Sequence, residues 1–135
     1  MKPKGFIALV VVFIVIGCTV GTTHTIRLRG NVNPAQISLD KKMPVSIEAS
    51  VENIGNATHT ISVDVVDTEG LAVEKPERTS FTLQPGESRV VTFIGRLEEA
   101  AVPGKYRVEI IAETQAGDQI SETVYLRVVA ERGFI

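Results

Sequence analysis

The sequence predicts an all-β domain, an antiparallel sandwich of about seven strands, behind an apolar N-terminal segment. Three observations predict it. Apolar residues recur with a period of two along most of the chain after residue 25, which is the pattern of half-buried strands. Turn signals interrupt that pattern at a spacing of roughly 8–12 residues, as in all-β sandwiches. The apolar residues are mainly Val, Ile and Leu, with 5% aromatics and no Trp, and β-branched side chains suit a pleated sheet better than a helix. With 135 residues the chain has room for one ordinary domain.

Met1-Lys2-Pro3-Lys4 is short and basic, and Gly5 to Gly17 carries no charge. This is the layout of a secretory signal, a basic stretch followed by an apolar one, with the positive charge held on the cytoplasmic side. Val15-Ile16-Gly17-Cys18 resembles a lipobox. In that motif apolar residues and a small residue precede a cysteine that is lipidated and becomes the new N-terminus. Cys18 is the single cysteine of the chain, so no intrachain disulfide is available and the fold stands on its core. A second reading is an uncleaved helix anchor. Phe6 to Val20 is fifteen residues, about 22 Å of helix against a hydrocarbon core of about 30 Å, with Gly21 to Thr23 extending it at some mismatch cost. In a third reading Lys4-Gly5-Phe6 resembles a type IV prepilin cleavage site, although Val10 stands where pilins commonly carry Glu. The resulting division is residues 1–18 as signal or anchor, 19–25 as a short tether, 26–131 as the domain and 132–135 as a tail.

Within the domain, Val45, Ile47, Ala49 and Val51 alternate with Ser46, Glu48, Ser50 and Glu52, which predicts one half-buried strand. Asn53-Ile54-Gly55-Asn56 reads as the turn that ends it. Ile61, Val63 and Val65 carry the pattern onward, with Thr60, Ser62 and Asp64 outward, up to a turn at Thr68-Glu69-Gly70. Phe81 and Leu83 form a short strand before Gln84-Pro85-Gly86-Glu87, a strong turn signal. Val91 and Phe93 point inward on the next strand. After Val102-Pro103-Gly104-Lys105, Tyr106, Val108, Ile110 and Ala112 alternate with Arg107, Glu109, Ile111 and Glu113. A hairpin at Gln115-Ala116-Gly117-Asp118 leads to Val124, Leu126 and Val128. After residue 25 no stretch has the period of an amphipathic helix; Arg96 to Val102 is too short and runs into Pro103-Gly104. Such a set of strands closes most naturally as two sheets face to face.

Three segments, in order, resemble the bacterial and archaeal cell-adhesion-related (CARDB) and NEW3-type domains. Ile47 to Ala57 is similar to their "apolar-x-apolar-x-Val-x-Asn-x-Gly" opening. Phe81-Thr82-Leu83-Gln84-Pro85-Gly86-Glu87-Ser88 matches their Leu-x-Pro-Gly-Glu-Ser turn, and Ala101 to Val108 matches their Pro-Gly-x-Tyr strand opening. The likeness spans residues 35–130 and implies an immunoglobulin-like sandwich used for display, spacing or adhesion. Its motifs build turns and core, so they speak to fold more than to function.

Chemistry-bearing residues are few. His24 and His59 are the two histidines, without a Cys or His at ligand spacing, and they read as exposed loop residues. Asp64, Asp67 and Glu69 are the carboxylates placed to offer oxygen ligands to Ca²⁺. They lack EF-hand spacing, and acidic residues serve turns for local hydrogen-bonding reasons, so no metal or other cofactor is expected. No Gly-x-Ser-x-Gly elbow or phosphate loop occurs, and Glu98-Glu99 lies in a linker without an apolar pocket to raise a pKa. The expectation is a protein that is not an enzyme. Asn56-Ala57-Thr58 is a glycosylation sequon in a turn. The net charge is −2. Losing Lys2 and Lys4 with the signal leaves 12 basic against 16 acidic residues, and no basic stripe is visible, which argues against nucleic acid. The expected partners are the membrane, through the N-terminus, and a protein or glycan of the cell envelope. The alternatives are an accessory subunit of a pilus, archaellum or secretion complex that keeps its helix, and a carbohydrate- or metal-binding module.

Overall fold

A computed structural model describes residues 25–130; the N-terminal segment with its lipobox-like residues, the tether up to His24, and the tail from Glu131 lie outside the described residues. The described chain is all β. Its strands are β1 (Ile26–Asn33), β2 (Gln36–Ser38), β3 (Val45–Asn53), β4 (His59–Val65), β5 (Leu71–Glu74), β6 (Ser80–Leu83), β7 (Ser88–Leu97), β8 (Gly104–Thr114) and β9 (Gln119–Val129). They form a four-stranded sheet, β1-β3-β7-β5, and a five-stranded sheet, β2-β9-β8-β4-β6. Every pairing is antiparallel except β2 with β9. Nine strands replace the seven or so expected, the additions being short edge strands. No helix among the described residues is long and apolar enough to cross a membrane.

The period of two does what it predicts. In β3, Val45, Ile47, Ala49 and Val51 are buried, and in β8 Tyr106, Val108, Ile110 and Ala112 are buried. These inner faces meet as one core built mainly from Val, Ile and Leu, with Phe81, Phe93 and Tyr106 as its aromatics. Removing such apolar area from water is the main favourable term, and no disulfide assists it. Gly30 departs from the apolar rule. It faces inward on β1, where a Cβ would lie 2.8 Å from Ile110 Cδ1 and 3.0 Å from Val124 Cγ1. The missing side chain lets β1 close against β8 and β9 at the rim of the sandwich.

The register defines two ends. At the base lie Thr25, where the chain comes in, the β3–β4 loop, the β6–β7 turn and the β8–β9 hairpin. At the tip lie the β4–β5 turn, the β7–β8 loop, the start of β8 and the end of β9. β8, with 11 residues, runs the full height, roughly 35 Å at the usual rise per residue.

Candidate interaction surface

The base is where the polar motif residues converge. Asn53 is fully buried and is the last residue of β3, not part of the following turn as expected. Its side-chain amide donates to Ala57 O at 2.8 Å and Leu83 O at 2.9 Å, while its Oδ1 accepts from Gly55 N at 3.0 Å. Its backbone donates to Glu87 O and accepts from Gly86 N. One side chain thus ties β3, the β3–β4 loop and the end of β6 together, with each polar group satisfied as burial demands. The Pro85-Gly86 turn closes with Glu87 N donating to Gln84 O at 2.9 Å, and Gly86 has φ +86°, the conformation that a type II turn assigns to Gly after Pro. Thr25 is fixed beside them: its backbone N–H and its hydroxyl both donate to Asp118 Oδ2 at 3.0 Å.

At the tip, Tyr106 opens β8 with its ring in the core and its hydroxyl bent back. The hydroxyl donates to Val102 O at 2.6 Å and accepts from Val102 N at 3.1 Å, which holds the β7–β8 loop against the strand that follows it. Gly70, with φ +87°, lies under this ring; a Cβ there would stand 2.9 Å from Tyr106 Cε2.

The expected site residues are dispersed. Val15, Ile16, Gly17, Cys18 and His24 lie outside the described residues. His59 is a correction: it is the first residue of β4, paired opposite Leu83, and half-buried rather than an exposed loop residue, because the strand begins earlier than the apolar run. Asp64 ends an outward-facing row of β4 and pairs with Lys75 Nζ at 2.7 Å. Burial pulls its carboxyl up, but the Lys75 hydrogen bond, the Val65 N–H and the Lys75 charge outweigh that and take it below the usual carboxylate value. Asp67 and Glu69 are exposed on the β4–β5 connection. The three do not come together, and no group of three His, Cys, Asp or Glu able to hold a metal occurs among the described residues. Asn56 is exposed in the β3–β4 loop at the base, with its sequon accessible. Glu98 and Glu99 are exposed in the β7–β8 loop.

The structure also assembles something the sequence hides. Lys105 pairs opposite Arg127, and Arg107 opposite Tyr125, so three cations and an aromatic ring share the outer face of β8 and β9 at the tip. These residues alternate with buried Tyr106, Leu126 and Val128, and therefore point to solvent. Two shallow concavities flank them. One, about 440 Å³, lies toward Thr68–Gly70 and Ala100–Pro103. The other, about 460 Å³, lies toward Arg127–Ala130. Lys105 borders both.

No family model and no curated protein matches this chain. Solved structures do. The chain is similar to a FixG-related protein from Vibrio parahaemolyticus, with TM-score 0.61 and 10% identity over 78% of this chain and 98% of that one. It is similar to Spo0M, a sporulation control protein from Bacillus subtilis, with TM-score 0.63 and 17% identity over 81% of this chain, and it spans about half (51%) of that protein. It is also similar to the cupredoxin domain of amoB from Nitrosocaldus yellowstonii, with TM-score 0.59 and 8% identity over 84% of this chain and 92% of that one. At these identities the likeness is one of fold, a two-sheet β-sandwich.

Proposed function

We propose that the chain is a membrane-anchored protein of the cell envelope that displays one immunoglobulin-like sandwich outside the cytoplasm as a non-catalytic interaction or adhesion module. The observation that carries this is the way the chain comes in. Thr25, seven residues after Cys18, is held at the base by two hydrogen bonds to Asp118, so an anchor at Cys18 holds the domain by its base and leaves the tip outward. The immunoglobulin-like assignment draws on three features. The first part of the domain is divided between sheets, β1 in one and β2 in the other. The sheets are ordered β1-β3-β7-β5 and β2-β9-β8-β4-β6. The Tyr106 hydroxyl bonds the backbone four residues upstream, as in the tyrosine corner of that fold. The non-catalytic reading draws on what the buried polar groups do: Asn53 and Thr114 bond the backbone of the turns that follow them, and Asn53 also bonds Leu83 O, which builds the scaffold and leaves recognition to the surface.

The intact mass of the native, membrane-extracted protein tests the anchor. The expected mass begins at a lipid-modified Cys18, and Cys18→Ala moves the protein out of the lipidated pool. An unprocessed N-terminus contradicts lipidation and favours an envelope-machine subunit with a retained helix. Cleavage after Gly5 favours the pilin-like reading.

A further inference from the structure

Among the described residues, three of the eleven Lys and Arg side chains form ion pairs; Arg29, Lys41, Lys42, Arg78 and Arg89 stand without one at scattered positions, and three more gather at the tip. Arg27, Lys75 and Arg96 form ion pairs with Glu52, Asp64 and Glu74. Lys105, Arg107 and Arg127, gathered on one face at the tip, form none, although the chain as a whole carries a net charge of −2. Lys105 Nζ instead lies 4.6 Å from the centroid of the Tyr125 ring, within cation–π range, and Tyr125 is 50% exposed. The nearest carboxylates on this face stand a row away, Glu109 opposite Thr123; Glu69 borders one of the flanking concavities.

The shape and chemistry narrow the occupant. The two concavities are open rather than enclosed, and they meet at Pro103, Gly104 and Lys105. That suits an extended polymer better than a small molecule, whose site would bury most of its surface. A protein partner wants a dehydrated apolar centre with charges at the rim, whereas here the charges occupy the centre. Two guanidinium groups offer bidentate hydrogen bonds to carboxylates, and a tyrosine standing out of the sheet offers a flat apolar face with a polar tip. Three cations on an acidic chain are too few for a nucleic-acid track. The face lies toward the end of the domain opposite Thr25, so it stands clear of a membrane that holds the base.

We propose that the Lys105–Arg107–Arg127 face around Tyr125 binds a carboxylate-bearing polysaccharide, the cations meeting the carboxylates and Tyr125 lying against a sugar ring. This rests on the reading that the domain is displayed outside the cytoplasm, and it names the class of partner the display serves.

The test uses the full chain in an uncharged polyoxyethylene detergent at low ionic strength, titrated with polygalacturonate, neutral dextran and polyglutamate. Polygalacturonate binds and dextran does not. Arg107→Gln, Arg127→Gln and Tyr125→Ala each weaken binding about tenfold, a change of about 1.4 kcal/mol, with the unfolding midpoint unchanged because all three side chains are exposed. Polyglutamate binds more weakly and is indifferent to Tyr125→Ala. The proposal is overturned if polygalacturonate fails to bind, or if polyglutamate binds as tightly and both polymers ignore Tyr125→Ala. A failure of the display reading registers in cell-surface labelling and leaves this titration unaffected, so the two can be told apart.

Discussion

The two ends of the sandwich use polar residues in opposite ways. At the base, Asn53 is buried and bonded to Ala57 O, Leu83 O and Gly55 N, and Thr25 is held by Asp118. At the tip, the Tyr106 hydroxyl does comparable work for the β7–β8 loop, but its neighbours on the outer face, Lys105, Arg107 and Arg127, are exposed. Polar groups at the base are inside and satisfied, so they stabilise and specify the fold. Polar groups on the outer face of the tip are outside and are available to something else. The contrast separates residues that a sequence motif marks for structure from exposed residues that the register alone brings together.

The largest expected effect comes from breaking the base. Asn53→Ala removes three hydrogen bonds and leaves Leu83 O and Gly55 N to be satisfied in a closed environment, where each lost partner costs roughly 1–3 kcal/mol. Urea unfolding should show a loss of about 3 kcal/mol or more, while Asn56→Ala, in the exposed part of the same loop, leaves the midpoint within about 0.5 kcal/mol. Equal effects of the two would contradict a structural role specific to Asn53.

A pair of glycines sharpens the comparison. Gly86 at the base and Gly70 at the tip have nearly the same backbone, φ +86° and +87°. Around Gly86 an added Cβ meets nothing within 4 Å, whereas at Gly70 it meets the Tyr106 ring at 2.9 Å. Gly86→Ala is therefore expected to cost the conformational term alone, about 1–2 kcal/mol, and Gly70→Ala that term plus a displacement of Tyr106. The difference disappears in a Tyr106→Ala background if the contact is its cause, and a double-mutant cycle reads this directly. Tyr106→Phe, which keeps the ring and removes the two bonds to Val102, should cost about 1 kcal/mol and loosen the β7–β8 loop to hydrogen exchange.

The smallest effect lies between the ends. The Asp64 carboxyl titrates below its ordinary value in the folded chain, so its contribution to stability is present above the unfolded-state pKa and is lost as pH falls through the folded one. Lys75→Gln should flatten that acid-side slope. Both side chains are largely exposed, so salt should weaken the effect as well.

Much of the architecture was legible in the sequence because burial and strand period coincide. β3, β4 and β8 each alternate over enough residues to declare an inner face. β5 was not legible, since its four residues offer only Leu71 and Val73 to the core, too few to stand out from a loop. Asn53 was misread as a turn former because two of its partners are local while Leu83 is thirty residues away. His59 was misread because the strand extends beyond its apolar run, through pairing with Leu83. The cationic face was invisible for a related reason: Lys105 and Arg127 are twenty-two residues apart and become neighbours only through the β8–β9 register. Fold motifs are local and can be read, whereas a surface depends on pairings that a lone sequence does not display.

The most direct test of the account is the side of the membrane on which the domain lies. Cysteines introduced one at a time at Ala116, on the base hairpin, and at Val102, exposed at the tip, are treated with a membrane-impermeant maleimide in osmotically stabilised spheroplasts, and the labelled peptides are identified by mass. Labelling of both positions in intact spheroplasts is the predicted result. Labelling of either only after lysis would contradict the account.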